Sequence, residues 1–292
     1  MIKKVLICGL GALGLTYANK LKDICELKIL ANTERVNKYK QNAPIFNNKK
    51  IELDYITPDI NWYPDLIIIS TKSTGLNSAL EYLKNFVHEN TIIISLINGI
   101  SSEEIISQTY SQARVLRSYF IGHSAIRKND KTTQDGIGKI VFETNKNLEN
   151  FFKENNIDYE VSNDIIYSQW IKLGVNIILN EPSAIYKCTV GELRKRDNYL
   201  ELAQNLLKEV KEVAQESGIE GLKNYEKDVL DSANLISDAG ETSMYQDIIA
   251  MRKTEVDIFS GEIIRLGEKY KIETPNNQKI YNDIKQIEKF FI

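Results

Sequence analysis

The segment Val5-Leu6-Ile7-Cys8-Gly9-Leu10-Gly11-Ala12-Leu13-Gly14 restricts the possible folds of this chain more than any other stretch. An apolar run enters a G-x-G-x-x-G pattern, and a helical pattern succeeds it over residues 15–21. A strand-turn-helix of this kind needs each glycine for a separate reason. Gly9 permits the tight turn, Gly11 lets backbone approach a pyrophosphate, and Gly14 lets the helix pack on the strand. The phosphates then rest on N–H groups at the helix start, so the expected cradle is Gly9, Leu10, Gly11, Ala12, Leu13 and Gly14. Lys3-Lys4 ahead of an apolar run also has the look of a secretory leader. Three glycines inside the run and the lack of an A-x-A site after it argue against that reading.

Beyond the glycine turn the chain alternates between short strands and helices. Strand patterns fall at residues 4–8, 27–31, 66–70 and 91–95, with helical patterns at 76–87 and 101–108. This alternation predicts an α/β fold, a Rossmann-type doubly wound parallel sheet with helices on both faces. Further strand-like segments at 115–120, 139–143 and 159–161 extend that sheet or add a rim. Past residue 164 strand patterns stop, and helices are expected over 165–185, 199–217, 225–235, 244–269 and 277–291. The expected organisation is therefore a dinucleotide-binding domain at 1–163 and an all-helical substrate domain at 164–292. No Pro- or Gly-rich linker separates them.

Composition narrows the classes of function. A chain of 292 residues is long enough for two domains, and a net charge of −3 argues against a nucleic-acid partner. Three cysteines, an odd number without a C-x-x-C pair, do not make a disulfide framework. Two histidines and scattered cysteines give no metal-site spacing. The apolar runs fall short of a membrane span. These features predict a cytoplasmic enzyme acting on a small molecule, for which a homodimer stays open.

The sharpest chemical signal is Trp170 to Asn180, WIKLGVNIILN. Its polar residues, Lys172, Asn176 and Asn180, recur at i, i+4 and i+8, which on an α-helix stacks an ammonium and two carboxamides along one face. The other faces are apolar, so the helix should be buried. A buried lysine is costly unless paired. Either the stripe reaches water at a crevice or it belongs to a site, and the glycine turn at the other end of the chain favours the site.

Cofactor choice should be legible after the second strand, where an acidic residue binds the ribose of NAD and a basic neighbour accommodates the 2′-phosphate of NADP. The chain reads Asn32-Thr33-Glu34-Arg35 there. Asn32 stands at the acidic position with Arg35 nearby, which favours NADP (NADPH). Glu34 reverses this if the strand runs longer.

These residues carry a resemblance. Gly9 to Gly14, Ser70-Thr71-Lys72, Asn98-Gly99, Lys172-x3-Asn176-x3-Asn180, Ser243-Met244-x-Gln246-Asp247 and Thr254-Glu255-Val256-Asp257 together resemble the ketopantoate reductase family (2-dehydropantoate 2-reductases) over nearly the full chain. The resemblance implies reduction of ketopantoate to pantoate with NADPH, on the route to pantothenate and coenzyme A. It implies Lys172 as proton donor, and Asn176 and Asn180 as ligands of the substrate's hydroxyl and other polar groups. It puts Asn98 between nicotinamide and substrate, Lys72 and Ala125 on the cofactor, Ser243 on the substrate carboxylate, and Glu255 beside the cofactor ribose and the lysine. The chain departs from the family pattern at Val190 and Gly240, where Asn is common, and at Glu181, where Pro is common. These departures bear on the substrate and leave the reaction type intact.

The chemistry is coherent without the name. A ketone reduction needs a hydride at carbon and a proton for the developing alkoxide, and a lysine both donates that proton and stabilises the charge. A carboxylate such as Glu255 would keep the ammonium charged, although it also reads as a surface ion-pair residue. Ser243-x-x-Gln246 reads as a capping box as well as a carboxylate site. Lys72 and Asn98 are also the polar residues expected at any strand end. Two other classes stay open: a β-hydroxyacid dehydrogenase, which shares Lys-x3-Asn but leaves Ser243 and Glu255 unexplained, and a non-catalytic NADPH-binding protein.

Overall fold

The computed structural model describes residues 1–122, 126–128, 131–134, 136 and 138–291. The chain divides into two compact units, Met1–Ile165 and Ile166–Ile292.

The first unit is built on six parallel strands: β1 (Lys4–Cys8), β2 (Glu26–Leu30), β3 (Tyr55–Ile56), β4 (Leu66–Ile69), β5 (Ile92–Ser95) and β6 (Arg114–Leu116). They lie in the order β3-β2-β1-β4-β5-β6. Every residue of β4 and β5 is buried, and all but one are Leu or Ile, as a strand covered on both faces requires. Between strands run α1 (Ala12–Leu21), α2 (Thr33–Gln41), α3 (Leu76–Leu83) and α4 (Ser102–Thr109). The strand order reverses between β1 and β4, and it is beyond the carboxyl ends at such a switch point that open α/β sheets bind ligands.

The run expected as one strand at 115–120 is two. β6 ends at Leu116, and β7 (Ser118–Gly122) belongs to a separate three-stranded sheet with β8 (Gly138–Glu143) and β9 (Tyr159–Ser162). The break falls at Arg117, whose N–H donates to the Glu143 carboxylate at 2.7 Å instead of extending the main ladder. This second sheet packs α5 (Lys146–Glu154) through Phe142, Phe151, Phe152 and Tyr159, ring centroids 5.6 to 6.0 Å apart.

The second unit is helical: α6 (Ile165–Val175), which begins one residue before it, then α7 (Glu181–Tyr186), α8 (Val190–Arg194), α9 (Tyr199–Glu216), α10 (Tyr225–Asn234), α11 (Ser243–Ile249), α12 (Ser260–Tyr270) and α13 (Pro275–Glu288). Trp170, Leu173, Ile177, Ile178 and Leu179 are buried, in keeping with the apolar pattern. The single helix expected over 244–269 is broken. α11 stops at Ile249, Met251 takes a left-handed φ of 49°, and Arg252 turns back so that its N–H meets the Asp247 carbonyl and its Nε the Asp247 carboxylate. Thr254 is then held by the Glu288 carboxylate through both its N–H and its hydroxyl, each at 2.7 Å. Glu255 consequently lies in an irregular segment and not on a helix face.

Candidate active site

In the first unit, the residues singled out from the sequence gather at one edge of the parallel sheet. The glycine turn comes after β1, Asn32 after β2, Lys72 after β4 and Asn98 after β5. All four are carboxyl ends, the edge where ligands bind in open α/β sheets.

The three glycines differ in what the fold asks of them. Gly9 has φ +105°, and a Cβ there would stand 2.8 Å from the Ser70 backbone. A Cβ on Gly14 would stand 1.9 Å from the Gly9 carbonyl oxygen. Ser70 Oγ donates to that same carbonyl at 2.7 Å, fixing β1 to the end of β4. Gly11 is otherwise: it is extended, and a Cβ would meet nothing nearer than 3.7 Å. The space above Gly11 is therefore one that a side chain would fill, open where the glycine pattern calls for close approach of a pyrophosphate. The amides of Ala12, Leu13 and Gly14 lie in the first turn of α1, where a helix offers no carbonyl partner, and no acidic side chain stands in that turn.

Asn32 is the N-cap of α2, its Oδ1 accepting from the Arg35 N–H at 2.9 Å. Glu34 and Arg35 are both exposed. Burial pushes the Cys8 thiol at the end of β1 up to about 12, and the Arg35 charge acts against that shift. Lys72 is exposed, and Asn98 is half-buried on the loop after β5. That loop rests on a buried hydroxyl network. Ser95 Oγ accepts from the Ile97 N–H and from Ser102 Oγ, while Ser118 Oγ donates to the Ser95 carbonyl. Ala125 lies outside the described residues.

In the second unit the lysine stripe is present with a different pitch. Lys172 is half-buried on α6. From Asn176 to Asn180 the helix widens into one turn of i→i+5 bonding before α7 resumes the α pitch. Strict i, i+4 stacking therefore ends at Asn176. Such turns cost regular hydrogen bonding and occur frequently at functional sites. Asn180 Nδ2 donates to Asn176 Oδ1 at 2.9 Å. Asn180 Oδ1 accepts from Ser243 Oγ at 3.1 Å and from the Met244 N–H at 3.3 Å. Asn176 Nδ2 is buried and has no hydrogen-bond partner among the described residues.

Ser243 is not the N-cap of α11. That place belongs to Thr242, whose Oγ1 accepts from the Tyr245 N–H at 3.2 Å, and Gln246 turns its amide to the Glu241 carbonyl. The cap expected at Ser243 thus lies one residue earlier, no capping box forms because Tyr245 stands where the box needs Glu or Gln, and the Ser243 hydroxyl turns to Asn180.

In the sequence Glu181 stands out only as a departure from a pattern. The structure makes it the clasp between the stripe and the segment after Glu255. Fully buried, it accepts through Oε1 from the Ser260 N–H at 3.0 Å and from Ser260 Oγ at 2.7 Å, while Oε2 has no partner among the described residues. Burial pushes its carboxyl up to about 8, against the opposing pull of the two Ser260 hydrogen bonds. The other two departures are neighbours: the Val190 N–H donates to the Gly240 carbonyl at 3.0 Å, and Val190 is fully buried. Among the described residues no cluster of side chains could hold a metal ion, and no helix is long and apolar enough to cross a membrane.

Comparison with known proteins bears on both units. A family model described as "Ketopantoate reductase PanE/ApbA" matches residues 5–147, and its companion for the C-terminal part matches residues 164–288. A 2-dehydropantoate 2-reductase of Aquifex aeolicus is 29% identical, over 99% of this chain and 98% of that protein. Among solved structures, a dimeric ketopantoate reductase from Staphylococcus aureus superimposes with a TM-score of 0.80 at 23% identity, covering 98% of both chains. D-mandelate dehydrogenase in a ternary structure with NADH and anilino(oxo)acetate superimposes with a TM-score of 0.87 at 24% identity, again covering 98% of both. At these identities the structural matches speak to the fold alone.

Proposed function

Because the chain belongs to the ketopantoate reductase family, we propose that it reduces a 2-keto acid with a nicotinamide dinucleotide, with 2-dehydropantoate as substrate, pantoate as product and NADPH as the preferred reductant. The observation that carries this reading is the Lys172–Asn176–Asn180 stripe, a half-buried ammonium succeeded by a carboxamide with an unpaired buried donor. Such an array suits a small polar molecule rich in oxygen acceptors. The curated 29%-identical relative bears the name of this activity, and the cradle over Gly11 suits the dinucleotide.

Each residue has its own share of the work. The reduced nicotinamide, when bound, supplies a hydride to the keto carbon. The pyrophosphate would lie over Gly11 on the amides of Leu10, Ala12, Leu13 and Gly14, a dipole-favoured site for anions. The Asn32 amide and the Arg35 guanidinium would hold the 2′-phosphate, with Lys72 and Asn98 reaching the cofactor from the ends of β4 and β5. Lys172 gives a proton to the carbonyl oxygen as charge develops there, and its ammonium stabilises that charge. Ser243 and the Asn176 amide bind substrate oxygens. When Ser243 turns to a carboxylate, Asn180 Oδ1 still has the Met244 N–H, so the exchange leaves no buried oxygen bare. Glu255 balances the ammonium of Lys172.

A second reading has a specific basis. The fold is shared with a D-mandelate dehydrogenase holding NADH, so the acid's side chain and the dinucleotide are both variables of the scaffold. The deciding experiment measures NADPH and NADH oxidation with 2-dehydropantoate, other branched 2-keto acids and a phenyl-substituted one. Fastest turnover with 2-dehydropantoate and NADPH is expected, and a preference for the phenyl acid with NADH would replace the first reading with the second. Lys172→Ala should bind NADPH as the parent does while turnover falls by roughly 10²- to 10⁴-fold. Near-parental turnover in that variant would remove Lys172 from the chemistry.

A further inference from the structure

We infer that Asn180 is a positioning residue that sets the polarity of Asn176, turning its carboxamide into a pure donor toward the substrate, so that the site selects an acceptor group at that point. The inference rests on the reading above and deepens it. It starts from a backbone group whose character is not open to choice. The Met244 N–H stands in the first turn of α11, where the helix supplies no carbonyl, and a backbone N–H can only donate. The atom of Asn180 that meets it at 3.3 Å is therefore the carbonyl oxygen, and Ser243 Oγ occupies the second lone pair of that oxygen. The other end of the Asn180 carboxamide must then be NH2, which lies 2.9 Å from Asn176. The facing atom on Asn176 must accept, so it is Oδ1. What remains on Asn176 is Nδ2, buried and without a partner among the described residues.

Reversing either carboxamide alone would set donor against donor, or oxygen against oxygen. The orientation is thus transmitted in series from the α11 backbone through Asn180 to Asn176. A buried donor left unpaired in this way is satisfied only when an oxygen arrives. The carboxylate or keto oxygen of a 2-keto acid meets that demand. A group that can only donate, such as an ammonium, does not.

The test exploits an isosteric change. Asn180→Asp keeps an oxygen for Met244 and Ser243 but has no N–H for Asn176, so Asn176 should reverse, giving Nδ2 to the new carboxylate and showing its oxygen outward. The KM for the 2-keto acid should rise roughly tenfold or more, with NADPH affinity unchanged and kcat altered less. The added charge acts on substrate as well, and Asn176→Ala separates the two causes. If Asn180 works through Asn176, Asn180→Asp raises KM by a clearly smaller factor in the Asn176→Ala background than in the parent, what is left being the effect of the charge. A full further rise there means that Asn180 acts on substrate directly or by charge, and overturns the inference. A ligand-free readout keeps the question separate from the assigned activity. With asparagine side chains labelled with ¹⁵N, the Asn176 NH2 pair, identified by its loss in Asn176→Ala, should move downfield in Asn180→Asp as it gains a hydrogen bond. An unmoved pair overturns the relay, whatever the substrate proves to be.

Discussion

At the scale of single residues, Glu181 illustrates how a side chain can be conspicuous in a sequence yet unreadable there. An acid after Asn180 looks like a surface residue or a helix-start residue, and only burial beneath Ser260 reveals its state. Desolvation raises its carboxyl from 4.5 to about 8 in the folded chain. The unfolded chain therefore releases this proton first as pH rises. Folded stability from this group is greatest below about 4.5 and declines across the interval up to about 8. Glu181→Gln cannot ionise, so its melting temperature relative to the parent should climb across that interval and stay above it at higher pH. Parallel melting curves for the two proteins would show that Glu181 keeps a fixed charge state. The stripe itself was far more legible. Lys172, Asn176 and Asn180 are the polar residues of an apolar segment, and polarity in such a setting needs no coordinates to be noticed.

At the scale of elements, the sequence located helices better than it located their ends. Thr242 and Ser243 are both capping residue types, and no local rule chooses between them. The choice is tertiary: Asn180 claims the Met244 N–H, and Thr242 takes Tyr245. This assigns the two neighbours different costs. Thr242→Ala should lower stability by about 1 kcal/mol, the usual cost of a lost cap. Ser243→Ala should melt close to the parent and instead weaken binding of the 2-keto acid by about 1.5 to 3 kcal/mol, the range for a hydrogen bond to a charged group. Comparing melting temperature with KM in both variants checks the assignment, and a stability loss confined to Ser243→Ala would reverse it. The widened turn at Asn176–Asn180 was illegible for a related reason. A helix that is apolar on nearly every face has no hydrophobic phase to slip, so one extra residue in a turn leaves no mark on the pattern. The break after Ile249 was likewise hidden, since Met251 and Arg252 are acceptable within a helix and it is Asp247 and Glu288 that turn the chain away.

At the scale of the whole molecule, the alternation of strands and helices and the later all-helical stretch were legible because sheet and helix periods differ. The second sheet was legible only as a rim left open beside an extension of the first, because a single hydrogen bond at Arg117 separates its first strand from a continuous run. Cofactor preference also belongs to this scale, since the start of α2 and the glycine turn after β1 must meet one dinucleotide. With Asn32 capping α2 and Arg35 in its first turn, NADPH should bind more tightly than NADH, and Arg35→Ala should remove most of the difference, about 1.5 to 3 kcal/mol for a charge-assisted contact. Fluorescence titration with both dinucleotides reads this directly. Equal affinities in the parent would hand the ribose to Glu34. The glycine turn carries one more consequence. Two of its glycines are demanded by the strands around them, so any descendant that keeps this sheet must keep them, with or without a ligand. Gly11 is under no such obligation, because a methyl group there would touch nothing closer than 3.7 Å. Across diverging lineages its loss would mark chains that had inherited the scaffold and abandoned the nucleotide, a distinction that neither Gly9 nor Gly14 can record.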